Sequence, residues 1–149
     1  MRKDERGYKI KMETLEVVAG VIFRNKEEGK VLIGQKREDH KVIPGKWEFP
    51  GGKMKPIDKG NHEKALDREF DEEFYDLILE RVVRSLGKYN HSYDGRTKIN
   101  LHAYLCQGRG NPIPKEHARI EWVKPQDLLS YDLAFIDREV TLTLLGIKI

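Results

Sequence analysis

Residues 38–61, EDHKVIPGKWEFPGGKMKPIDKGN, hold three prolines and four glycines in 24 positions, too many turn formers for a helix or a long strand. A loop of that length is uncommon inside a compact fold and is more often functional than decorative. Two β-branched runs precede it, EVVAGVIFR (16–24) and KVLIGQKR (30–37). They are separated by NKEEG, the pattern of a hairpin or of adjacent strands. After the loop, Asn61 is a suitable N-cap, and no proline or glycine interrupts the chain before Leu79, which predicts a helix over 61–79.

Beyond the helix, residues 81–93 and 97–108 flank the turn formers DGR (94–96). The second arm alternates Ile99, Leu101, Ala103 and Leu105 with polar partners, so a hairpin is expected. ARIEWVKP (118–125) predicts another strand and QDLLS a short helical turn, while residues 135–149 fit helix or strand equally. This order of elements suggests an α+β or mixed α/β sandwich. With 149 residues and no repeat or linker, one domain over 1–149 is expected, residues 1–14 forming an extension or an extra strand.

Composition narrows the function. Charged residues are 36% of the chain and hydrophobic ones 38%, which suits a soluble globular protein and neither a disordered nor a membrane one. Cys106 is the single cysteine, so an internal disulfide framework and a multi-cysteine zinc site are excluded, and a reducing, cytoplasmic setting is the default. The longest apolar run near the start, VVAGVIF, comes too late for a signal peptide and is too short to span a bilayer. A net charge of +3, with basic residues scattered among acids, argues against a nucleic-acid surface.

The predicted helix carries REFDEEF (68–74), four carboxylates in seven residues. At 100° per residue, Leu66, Phe70, Phe74 and Leu77 form one stripe, and His62, Glu69, Glu72, Glu73 and Asp76 form another. Like charges three and four residues apart cost about 0.2–0.5 kcal/mol per pair. A solvated face could bear that cost; a divalent cation would remove it. Ligands that are all oxygen select hard ions such as Mg²⁺ or Mn²⁺, and bound Mg²⁺ keeps positions for water and substrate phosphate. The preceding WEFPGGK puts two glycines near the helix entry, where backbone can approach a ligand closely.

Gly52 together with Arg68-Glu69-Phe70-Asp71-Glu72-Glu73 resembles the Nudix box, G-x5-E-x7-R-E-U-x-E-E-x-G-U, where U is a bulky aliphatic. WEFPGGK and the two strands before it are similar to the MutT-like branch of Nudix hydrolases. The resemblance implies an α/β/α sandwich on a mixed sheet and hydrolysis of a nucleoside diphosphate linked to a further group. By position it implies that Glu69, Glu72 and Glu73 bind Mg²⁺, with Mn²⁺ a possible substitute, and that the Gly52 carbonyl is a further ligand. Arg68 would be structural. KEHARIEW aligns with a late loop that carries a metal-binding or basic glutamate, pointing to Glu116, so Glu116 or Glu69 would be the general base.

Two departures from the pattern stand out. Fifteen residues separate Gly52 from Arg68 where the pattern has thirteen, so its early glutamate falls on Asp58 counted forward or on Gly60 counted back. Asp58 could serve Arg68, or the pair could be absent. Tyr75 and Asp76 replace the terminal glycine and aliphatic, which suggests that the helix runs on and that Asp76 adds charge near the metals.

For the substrate, the resemblance points to Arg37 and Arg96 as phosphate contacts and to Asp137 in AFIDREV as the reader of the base; Trp47 and Phe49 could stack on that base, and Phe49 could equally belong to the core. Asp137 could instead be a helix N-cap. The favoured activity is conversion of a nucleoside triphosphate to monophosphate and pyrophosphate, either on oxidised purine nucleotides or with a pyrimidine preference. Tyr93 lies near a tyrosine of dinucleoside polyphosphate hydrolases, so that activity remains an alternative, with ADP-ribose hydrolysis less favoured. A nucleotide-binding regulator of the same fold would be expected to lose metal glutamates, and all three are kept. Oligomeric state is not encoded in any recognisable motif.

Overall fold

The computed structural model describes residues 5–7 and 12–146. Most of the possible N-terminal extension, residues 1–4 and 8–11, and the last three residues lie outside the described residues, while Glu13 and Thr14 already belong to the first strand.

β1 (Glu13–Phe23) is the centre of a mixed seven-stranded sheet. It pairs antiparallel with β2 (Val31–Gln35) and with β4 (Gly51–Lys53), and parallel with β7 (Thr97–Arg109) along its full length. The expected hairpin is formed by β6 (Ile78–His91) and β7, with three bulges along β6. β3 (Trp47–Glu48) and β9 (Arg119–Val123) both pair with β2. Two helices lie on opposite faces, α1 (His62–Glu73) and α2 (Phe135–Leu145).

Strand alternation divides the core between these faces. Val18, Ile22, Leu32 and Cys106 meet Leu66 and Phe70 of α1. Ala19, Val21, Ile33, Ala103 and Leu105 meet Ile136, Val140 and Leu144 of α2. The ambiguous C-terminal segment is therefore helical, because its i, i+4, i+8 stripe of Ile136, Val140 and Leu144 has a sheet face to cover.

α1 begins as expected, with the Asn61 side chain accepting from the Lys64 N–H at 3.0 Å. It does not run to Leu79. Phe74 is already extended, and β5 (Phe74–Tyr75) pairs with β8 (Ile113–Pro114), while the Lys115 N–H donates to the Glu73 carbonyl at 2.8 Å. That late-chain contact satisfies a helix-terminal carbonyl in place of another turn. Asp76 then adopts a left-handed φ of 54°. Its carboxylate accepts from the Asn111 N–H at 3.0 Å. Among the described residues, no helix is long and apolar enough to cross a membrane.

Candidate active site

The glycine loop lies directly on the acid face of α1. A Cβ at Gly52 would fall 2.5 Å from Glu69 Oε2, so only glycine lets backbone and carboxylate meet there. One residue earlier, the Gly51 N–H donates to Glu73 Oε1 at 2.9 Å. Loop and helix are clamped by Arg68. Its Nε and Nη2 each donate to one oxygen of Asp58 at 2.8 Å, and Nη2 also reaches the Lys53 carbonyl at 3.0 Å. Asp58 is 1% exposed, and its hydrogen bonds from Arg68 hold its carboxyl down at about 2 against the opposing effect of burial.

The forward count from Gly52 is thus the one the fold uses. The two extra residues fall after Asp58, where Lys59 and Gly60 turn left-handed with φ of 50° and 75° and deliver the chain to Asn61. The insertion lengthens the helix entry and leaves the clamp intact.

The three box glutamates differ in environment. Glu72 is the outer one; burial opposes its ionisation, but hydrogen bonds from Lys55 at 3.2 Å and Arg68 at 3.1 Å prevail and lower its pKa. Glu69 is raised by burial, although Arg68 Nη1 lies 2.9 Å away. Glu73 is raised well above the ordinary carboxylate range, by burial first and by the charge of Glu48 second. Two inner carboxylates that resist ionisation beside a glycine loop form a donor set that a divalent cation suits.

A second polar group adjoins Glu73. Glu48 Oε2 accepts from Lys36 Nζ at 3.1 Å and lies 3.0 Å from His117 Nε2, which is 3.6 Å from Glu73 Oε2. Burial would raise Glu48, but the His117 hydrogen bond and the Lys36 charge hold it low. The sequence reading did not single out Lys36, Glu48 or His117. Glu48 sits inside WEFPGGK and could have been noticed there; a lone histidine in a loop gives no such signal.

The remaining candidates are dispersed. Asp137 is the third residue of α2, not its N-cap, and accepts from the Phe49 N–H at 2.8 Å. Burial, and then the charge of Glu48, pushes its carboxyl up to about 8. Asp137 and Phe49 line a cavity of about 410 Å³ that also has Gly51, Gly52 and Lys53 in its wall. Trp47 is absent from that wall. It packs edge-on against Tyr131 at 5.2 Å within the α2-side core, because its backbone bonds Asp132 and Ala134 and turns the indole inward. Arg37 is 65% exposed beside Asp39, and Arg96 is exposed on the β6–β7 turn; neither lines the cavity. Glu116 is exposed on the loop before β9, next to the buried His117. The Tyr93 hydroxyl lies on the cavity wall and accepts from the Ile136 N–H at 3.1 Å.

A family model described as the NUDIX domain matches residues 14–144. The chain belongs to the NUDIX family. It is a Nudix hydrolase of the MutT-like branch, and members of this family use divalent metal ions. Among curated Nudix relatives, a CTP pyrophosphohydrolase of Escherichia coli K12 is 35% identical over 128 residues, covering 85% of this chain and 87% of that one. The nucleoside triphosphatase NudI of Escherichia fergusonii is 35% identical over 130 residues, covering 80% and 90%. The solution structure of the E. coli ORF135 protein superposes with a TM-score of 0.75 at 29% identity, covering 91% of each chain. A MutT protein of Methanosarcina mazei Go1 shares the Nudix fold with a TM-score of 0.77 at 21% identity, covering 93% of this chain and 97% of that one.

Proposed function

We propose that this protein is a Mg²⁺-dependent nucleoside triphosphate pyrophosphohydrolase, a single domain acting in the cytoplasm on cytidine-type nucleotides, with release of nucleoside monophosphate and pyrophosphate. The observation that carries this reading is one cavity whose wall joins the glycine loop over the box glutamates to Asp137. A base seated against Phe49 and Asp137 would extend its phosphates toward Gly51–Lys53 and the acid face.

In this reading Glu69, Glu72, Glu73 and the Gly52 carbonyl hold Mg²⁺, which when bound would neutralise phosphate oxygens and acidify a water. Arg68 keeps Glu69 and Glu72 oriented through its bonds at 2.9 and 3.1 Å. Glu116 or Glu69 accepts the water's proton. Exposed Arg37 and Arg96 serve the polyphosphate from outside the cavity. Asp137, protonated at neutral pH with its carboxyl near 8, donates to a ring-nitrogen acceptor such as that of cytosine. The naming of a 35%-identical relative as a CTP pyrophosphohydrolase supports that choice over oxidised purines.

The test is turnover with Mg²⁺ across canonical and oxidised nucleoside triphosphates, dinucleoside polyphosphates and ADP-ribose, with products separated by chromatography. CMP and pyrophosphate from CTP are expected. Tight nucleotide binding with no turnover of any compound would instead make the protein a binding module.

A further inference from the structure

The carboxylates and imidazole beside the box glutamates form a group that the all-oxygen reading of the metal face does not use. His117 Nε2 lies 3.0 Å from Glu48 Oε2 and 3.6 Å from Glu73 Oε2. With metal–ligand bonds of about 2.1 Å, neighbouring ligand atoms stand about 3.0 Å apart at octahedral angles and about 3.4 Å apart at tetrahedral ones. The observed spacings match such edges. Among the described residues, this is the one trio of histidine, cysteine or carboxylate side chains whose ligand atoms all lie within 4.8 Å of one another.

Two further features mark the group as built. The His117 side chain is 2% exposed and stacks on Phe74 with ring centroids 5.6 Å apart, which fixes the ring beside the two carboxylates. Space for the ring is made by Gly34, where a Cβ would fall 2.6 Å from the imidazole Cδ2. The chain thus gives up a β-strand side chain to keep an imidazole against Glu73.

We propose that Glu48, Glu73 and His117 form a mixed nitrogen and oxygen cation position that takes Mn²⁺, Co²⁺ or Zn²⁺ in preference to Mg²⁺, adjoining the all-oxygen position of Glu69 and Glu72. Imidazole favours the transition metals, whereas Mg²⁺ favours oxygen. The two positions share Glu73, and only through that residue does the proposal rest on the functional reading above. The Lys36 ammonium stands 3.1 Å from Glu48, where it would compete with a cation for that carboxylate. Lys36 also lines the cavity, which leaves its side chain space to withdraw into.

The experiment is metal binding to the full chain without nucleotide, so it can succeed or fail whatever the protein hydrolyses. Electron spin-echo spectroscopy of the Mn²⁺ form should show nitrogen modulation from a directly bound imidazole. His117→Gln should abolish it and weaken Co²⁺ binding by about tenfold or more, the loss expected for disturbing a ligand shell, while Mg²⁺ affinity stays within about twofold of wild type on the same scale. Wild-type protein without nitrogen modulation, or a His117→Gln protein that keeps both modulation and Co²⁺ affinity, overturns the proposal. Lys36→Met, which leaves the ligands in place, provides a second reading should His117→Gln not fold. Removing the competing ammonium should tighten Co²⁺ binding severalfold, and unchanged affinity would contradict the site.

Discussion

The two flanks of α1 handle negative charge in opposite ways. On the Arg68 side, Asp58 and Glu72 are each matched by cations at 2.8 to 3.2 Å, and both carboxyls are held low. On the Glu73 side, burial first and the charge of Glu48 second raise Glu73 and Asp137, while His117 and Lys36 hold Glu48 low. A face completed by its own arginine is a clamp. A face whose carboxyls burial pushes up is where a ligand or ion gains most by binding.

The largest effect is expected at Glu72, which is paired but 40% exposed and so accessible to a metal. Glu72→Gln should lower kcat by about a thousandfold, equivalent to the several kcal/mol a metal supplies to a transition state, with the thermal unfolding midpoint almost unchanged. Full activity with unaltered metal dependence would remove Glu72 from the metal site.

Asp58→Asn tests the clamp itself. The Asp58 carboxyl falls from its ordinary 3.8 to about 2, and at about 1.4 kcal/mol per pK unit the variant should lose roughly 2–3 kcal/mol in urea unfolding at pH 7. Because the folded-state value is depressed, this stabilisation is fully present above about pH 4 and is lost as the pH falls through 2. The gap between wild type and variant should therefore close in acid. A gap independent of pH would mean that shape, not charge, holds the loop.

The smallest effect is expected at Asp137. Its folded-state value, near 8, is raised, so its contribution to stability is fully present below about pH 4 and is lost as the pH rises through 8. Asp137→Asn should flatten that decline in the unfolding midpoint between pH 4 and 8. It should also change the preference between CTP and UTP, whose ring positions offer an acceptor and a donor respectively. Parallel pH profiles for wild type and variant would show that the carboxyl ionises freely.

Much of the clamp and the acid face was legible in local pattern. Asn61 announced the helix start, and the turn formers of 38–61 announced a structured loop. The spacing of Glu69, Glu72 and Glu73 placed them one turn apart. The end of the helix was not legible, since nothing between Phe74 and Leu79 breaks a helix by composition. Phe74 leaves it because Pro114 pairs with it from forty residues away. For the same reason the Asp76 carboxylate meets the backbone of Asn111, thirty-five residues on, rather than continuing a helix.

Trp47 and Phe49 lie two residues apart and read alike, yet only Phe49 reaches the cavity. Their difference comes from backbone bonds between Trp47 and Asp132 and Ala134. His117 was hidden for a related reason: its neighbours Glu48 and Glu73 lie 69 and 44 positions earlier in the chain, and the glycine that makes room for it is in a third segment.

Residue type and spacing within one helix and its loop were enough for the family, for the box glutamates as candidate metal ligands, and for the two-residue departure in the box. Folding had to settle that Asp58 rather than Gly60 answers Arg68, that α1 stops at Glu73, and that an imidazole joins the carboxylates. Each of those depends on which distant segments the curved sheet brings into contact, and pairing across such distances leaves no local period in the chain.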